Sequence, residues 1–246
     1  MIGLYELLAA AAAFVAGAIA SVAGFGIGSI LTPLLSLELG TRLAVAAVSV
    51  PHLIATFARF WMLRSHVDRR VLLDFGILSA AGGLAGALLH GVASNPALTL
   101  VFAVLLIFAG LTGLSGYARK MRFGAKTAWI AGAVSGALGG LVGNQGGIRS
   151  VALQGFGLHR QAFVSTATAI ALIVDAARMP VYFVTAGQEM LSAVNLIVLS
   201  TIGVLVGTFS GTTILHRIPE PAFHRVVGIV ILALGCFMLA RAIEQQ

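Results

Sequence analysis

Charge is what this chain has least of. Of its 246 residues only 9% are Asp, Glu, Lys or Arg, while 59% are hydrophobic and the mean hydropathy is +1.03. A soluble globule cannot cover itself with so little polar surface, so the chain reads as an integral, multi-pass membrane protein. A single cysteine, Cys236, excludes an intramolecular disulfide and any multi-cysteine metal site. It lies in the apolar run Ile229 to Leu239 and is expected to be a small buried packing residue. His90, His216 and His224 lie at segment ends, and no pair of histidines shows the spacing of a metal site. There is no GxSxG, no HExxH and no pair of intramembrane carboxylates, so neither an intramembrane enzyme nor a metal or other cofactor is expected. The amino end carries Glu6 where a signal peptide would be positive, and its apolar run is long, so it is read as part of the mature protein. The net charge of +7 sits in short loops between apolar runs, where the positive-inside rule accounts for it without nucleic acid.

Glycine, by contrast, is abundant, at 30 residues. It crowds one stretch above all, Gly139-Gly140-Leu141-Val142-Gly143-Asn144-Gln145-Gly146-Gly147-Ile148-Arg149. Glycine inside a helix costs about 1 kcal/mol relative to alanine, so such crowding predicts a break in the helix. In lipid the freed N–H and C=O groups cost several kcal/mol each unless they line a cavity or pack inside protein, and transporters hold substrates at such breaks. Ala23-Gly24-Phe25-Gly26-Ile27-Gly28-Ser29-Ile30-Leu31-Thr32-Pro33 repeats the design.

Apolar runs give eight segments, at about 3–35, 43–63, 71–91, 97–117, 127–153, 160–184, 191–214 and 222–242. Turn signals separate them at Arg64 to Arg70, Ser94 to Pro96, Arg119 to Lys126, Leu158 to Arg160, Ala186 to Glu189 and Pro219 to Pro221. The halves resemble each other: Gly82 and Gly86 recur as Gly203 and Gly207, and Pro96 ahead of Gly110 recurs as Pro221 ahead of Gly235, at an offset of about 115 to 125 residues. The expected architecture is all-α and polytopic, with two homologous halves, 1–120 and 121–246, of four segments each. If each first segment dips to its glycine break and returns, the halves are inverted. Arg64, Arg69, Arg70, Arg119, Lys120, Arg122, Lys126, Arg149, Arg160 and Arg217 then share the cytoplasmic side, with Arg42 the exception. The spacing of Gly82, Gly83 and Gly86, and of Gly203 and Gly207, is read as close helix packing.

The order of motifs resembles the sulfite exporter TauE/SafE family, also called the toluene sulfonate uptake permease family. The residues that carry the resemblance are Ala23 to Gly28 with Pro33-Leu34-Leu35, Val48-Ser49-Val50-Pro51, the basic loop Arg64 to Asp68, Gly82 to Gly86, and the second glycine run with Ser165 to Thr168. The chain departs from the family pattern at Gly143 to Arg149, where many members continue with a small residue and then a proline. The resemblance implies a secondary transporter of small sulfur-containing or organic anions such as sulfite, sulfoacetate or related sulfonates, in the inner (plasma) membrane of a bacterial cell.

An anion crossing a bilayer needs positive potential without a permanent trap, and helix N-termini with their free N–H groups supply it. Gly26, Gly28, Gly146 and Gly147 are the main-chain candidates, and Asn144 and Gln145 add side-chain donors. Arg59 either contacts the anion or snorkels to the interface. Arg178 and Asp175 share a helical face and mark a polar interior, with Arg178 a substrate contact. Asp175 either titrates and couples protons to transport or holds Arg178 permanently. Arg149 either draws anions in or anchors the turn to lipid headgroups. His52 is a proton carrier, a donor to the anion or a packing histidine bonded to a carbonyl. Ser49, Ser165, Thr166 and Thr168 are hydroxyls suited to an oxyanion or to their own backbone, with Ser49 and Thr166 taken as binding residues. The leading function is anion transport by alternating access between the two glycine breaks; the alternative is a non-transporting structural or partner subunit of a membrane complex.

Overall fold

Uninterrupted apolar sequence with few prolines leaves the main chain only one way to satisfy itself, and every element of the computed structural model, which describes residues 3–115, 125–215 and 219–244, is helical. In chain order the helices are α1 (Leu4–Ala23), α2 (Ile27–Leu63), α3 (Arg69–Val92), α4 (Asn95–Ser115), α5 (Ala125–Val142), α6 (Gly146–Gln154), α7 (Arg160–Ser192), α8 (Val194–Leu215) and α9 (Glu220–Glu244), with one 3-10 turn, Arg64–His66, between α2 and α3. Among the described residues, seven helices are long and apolar enough to cross a membrane, and α5 contributes a shorter apolar run, Thr127–Val142.

The bundle is assembled from pairs. α1 lies along α8, α3 along α5 and α4 along α9, while α2 and α7 meet in the middle. The central position of the last two is visible in burial: 61% of the most apolar stretch of each is covered by protein, against 33% for α4 and α9. Small residues make the pairing tight. A Cβ added at Gly82 or Gly86 of α3 would run into the carbonyl oxygens of Ala133 and Ala137 of α5. One added at Gly203 or Gly207 of α8 would likewise meet those of Ala10 and Phe14 of α1. Without a hydrophobic force between helices in lipid, such backbone approach supplies the dispersion contacts that hold them. The outward faces are apolar, with Val184 86% and Val92 84% exposed, as a surface wetted by lipid requires.

Three sequence expectations are corrected here. The turn expected at Ala186 to Glu189 is absent: α7 continues through it to Ser192, because Ala186 and Met190 pack into the core and one glycine is too small a penalty to stop a long helix. Cys236 is exposed on the outside of α9; in an all-apolar run either face suits a thiol. The run expected at 3–35 is divided, its second part joining the next segment as α2, which carries Pro33 and Pro51 and bends at Gly40 (φ 71°, ψ 160°). Arg119, Lys120, Arg122, His216 and Arg217, and the side chains of Lys126 and His224, lie outside the described residues.

Two glycines test this packing. Gly86→Val is expected to lower the thermal midpoint of the detergent-solubilised protein sharply, since the added carbons meet backbone. Gly187→Ala, in open space within α7, is expected to raise stability by about 0.5–1 kcal/mol. Equal effects of the two would refute the close-approach account.

Candidate functional site

A helix that stops inside the bundle leaves its last carbonyls and the next helix's first amides without intrahelical partners. The chain leaves the helix twice in this way. α1 ends at Ala23, and Gly24 (φ 78°) and Gly26 (φ 132°) carry the main chain through left-handed conformations that side chains resist. α5 ends at Val142, and Gly143 (φ 71°) turns the chain before α6 begins at Gly146. The two interruptions touch. A Cβ on Gly28 would strike the carbonyl of Gly143, Phe25 packs on Gly146, and Ser29 Oγ donates to Asn144 Oδ1 at 3.2 Å.

The carbonyls at the end of α5 are capped by side chains from α3 and α7. Arg178 Nη1 donates to Gly139 O at 2.7 Å, Tyr182 OH donates to Gly140 O, and His90 Nδ1 contacts Leu141 O at 2.8 Å. Arg149, on the first turn of α6, reaches across to the other interruption, where Nη2 donates to Gly24 O at 3.2 Å. It is 1% exposed, so the headgroup-anchor reading of Arg149 and its place among cytoplasmic loop charges are both overturned. A nine-residue helix packed against α4, α5 and α7 carries it inward.

Between α2 and α7 runs a polar ladder. His52, Thr56 and Arg59 recur at i, i+4 and i+7 on α2, and Thr168, Asp175, Arg178 and Tyr182 form the matching stripe on α7. His52 Nδ1 lies 2.6 Å from Asp175 Oδ2, and Thr56 Oγ1 is 3.4 Å from the same nitrogen. Arg59 Nε donates to Thr168 Oγ1 at 3.1 Å. Arg59 is 3% exposed and so does not snorkel to the interface; Thr168 holds it inside. Arg178 closes on Asp175, with Nε at 3.0 Å and Nη2 at 2.8 Å from Oδ1. A packing histidine bonded to a carbonyl was one expectation for His52; its partner is a carboxylate.

Gly26, Gly28, Ser29, His52, Asn144, Gln145, Gly146 and Arg149, with Phe25 and Gly143, enclose a small cavity. About 10 Å³ of it is open to the centre of a water molecule, room for one water. The first N–H groups of α2 and α6 bring partial positive charge to its wall. Several buried polar atoms around it have no partner: Arg149 Nε and Nη1, Asn144 Nδ2, both amide atoms of Gln145, and further along α2, Arg59 Nη1. In an apolar interior each such group costs free energy unless a water or ligand satisfies it.

The other expected binding residues lie elsewhere. Ser49 Oγ is committed to Ala46 O at 2.5 Å and Met179 Sδ at 3.0 Å. Ser165 Oγ bonds Ala162 O at 3.1 Å. Thr166 Oγ1 accepts from the main-chain N–H of Asp68 at 2.9 Å, fixing the start of α3. Gly147 faces Ala109 of α4. Arg178 lies against the interruption, but all three of its nitrogens are engaged. The cationic side chain on the cavity wall is Arg149, for which the one sequence signal was its position directly after the glycine run.

Together these features define a class: an integral, multi-pass membrane protein whose central helices surround a buried, cationic polar site. The comparison with known families agrees. The sulfite exporter TauE/SafE family model matches residues 9–238, so the chain belongs to that family of membrane transporters. No curated protein and no solved structure gives a significant match.

Removing Asp175 should expose how the site is balanced. Asp175→Asn leaves the buried Arg178 without its counter-charge and is expected to cost about 3–5 kcal/mol in thermal unfolding. Arg149→Gln, which removes a guanidinium with two unpartnered nitrogens, is expected to leave the midpoint unchanged or raise it.

Proposed function

We propose that this protein is a secondary transporter that carries a small sulfur-containing or organic anion, sulfite, sulfoacetate or a related sulfonate, through the cavity between the two glycine-rich interruptions. The observation that carries the reading is Arg149: a guanidinium buried to 1% exposure, on the wall of a cavity, with Nε and Nη1 unpartnered. Nature seldom keeps an unpaired buried cation unless a ligand or a conformational change answers it. Gly26, Gly28, Gly146, Asn144 and Gln145 supply the remaining donors, through free N–H groups of α2 and α6 and side-chain amides. Arg178 and Asp175 hold the end of α5 in place rather than gripping the anion.

The rest of the mechanism follows from pairing. Residues 1–120 and 121–246 form the two inverted halves. In support of two related halves, α1 packs on α8 and α5 on α3, the exchange expected of units related by a two-fold axis. Gly24 and Gly40 match Gly143 and Gly157 as left-handed positions in the same order. Alternating access opens the cavity to one side at a time, and the His52–Asp175 contact couples protons to the step, with the protein resident in the inner membrane of a bacterial cell.

The test is flux of labelled sulfite into proteoliposomes. The wild-type protein is expected to exceed empty vesicles, and Arg149→Gln, purified as a folded protein, to fall by at least about tenfold. Wild-type flux equal to that of empty vesicles across sulfite, sulfonates and carboxylates would return the chain to the partner-subunit alternative.

A further inference from the structure

The charges buried at the centre of the protein do not cancel. Arg59, Arg149 and Arg178 are 3%, 1% and 2% exposed, and Asp175, at 0%, is the one buried carboxylate among the described residues. Arg178 and Asp175 neutralise each other through two contacts at 2.8 and 3.0 Å. Arg59 and Arg149 are left over. Arg59 has one unpartnered guanidinium nitrogen, Nη1, and Arg149 has two, Nε and Nη1. The titratable group facing them is His52, whose Nδ1 is taken by Asp175 and whose ring lines the cavity with Arg149. Arg59 stands two turns along α2 from His52, on the same stripe.

We infer that this site is matched to a dianion, so that one doubly charged oxyanion brings the buried centre to neutrality while a monoanion leaves one guanidinium uncompensated. The inference rests on the anion-transporter reading and deepens it by fixing the charge of the cargo. A buried cation left unpaired is strongly unfavourable, so a singly charged anion of the same shape binds less well even when every hydrogen bond is kept. A neutral or zwitterionic solute leaves both guanidiniums uncompensated and is the weakest cargo of the three. Selection of this kind acts through field rather than through shape.

Sulfite and chlorate separate charge from shape, since both are pyramidal three-oxygen anions and differ by one charge. Binding of each to the full chain in detergent, measured by calorimetry at alkaline pH where sulfite is fully deprotonated, is expected to favour sulfite by at least about tenfold. Arg59→Gln is expected to reduce that preference severalfold by removing one of the two uncompensated charges. Arg149→Gln should do the same, so the measurement survives if one variant does not fold. Equal affinity for sulfite and chlorate in the wild type would overturn the dianion inference while leaving the anion site standing. A sulfite preference unchanged in folded Arg59→Gln and Arg149→Gln would overturn it as well. Binding of neither anion would remove both the inference and the transporter reading beneath it.

Discussion

Main chain without water is the constraint on which this molecule depends. Where α5 stops, the carbonyls of Gly140 and Leu141 would be orphaned in an apolar interior, and Tyr182 and His90 arrive from two other helices to meet them, while Arg178 adds a second donor to Gly139 O, which already accepts from Gly143 N at 3.0 Å. Those three side chains need their own supports. Asp175 holds Arg178, His52 braces Asp175 from α2, and the His90 ring packs on Tyr182 at 5.0 Å between centroids. The polar ladder between α2 and α7 is thus the downstream consequence of ending one helix early. The opposite interruption is treated more sparingly: Gly24 O receives Arg149, whose Nε and Nη1 have no partner.

This asymmetry separates two kinds of arginine. Arg178 has all three nitrogens engaged, whereas Arg149 keeps two without a partner. Both are long cations in apolar helices near glycine, and only the inventory of their nitrogens distinguishes them.

Much of the fold was legible in the sequence because membrane helices announce themselves by unbroken hydropathy. The glycines of α3 and α8 could be read as packing positions because their spacing places them on one face, and they do abut neighbouring backbone. The positions of Asp175 and Arg178 within their segment also pointed inward, whereas that of Arg59, close to the basic loop, left snorkelling to the interface open. What could not be read was partnership. Nothing in the spacing of Thr166 shows that it caps the start of α3, or that Ser49 is consumed by Ala46 and Met179, because those bonds join segments about 100 residues or more apart or curl back on one turn. Arg149 looked like a loop charge because it follows a glycine run, and its burial depends on the inward course of a nine-residue helix that hydropathy alone cannot orient. The turn expected at Gly187 failed for a related reason: tertiary contacts of Ala186 and Met190 outweigh one weak helix former.

The crossed partnership of α1 with α8 and of α3 with α5 bears on how the chain is made. When the ribosome has delivered α1 through α4 to the bilayer, α1 still lacks the neighbour that its small-residue seam fits, because α8 begins only at Val194. α3 waits likewise for α5. The early helices must therefore sit in lipid, or against a chaperone, with their seams open until the later ones insert. The two halves of the sequence are born in succession but become a protein together.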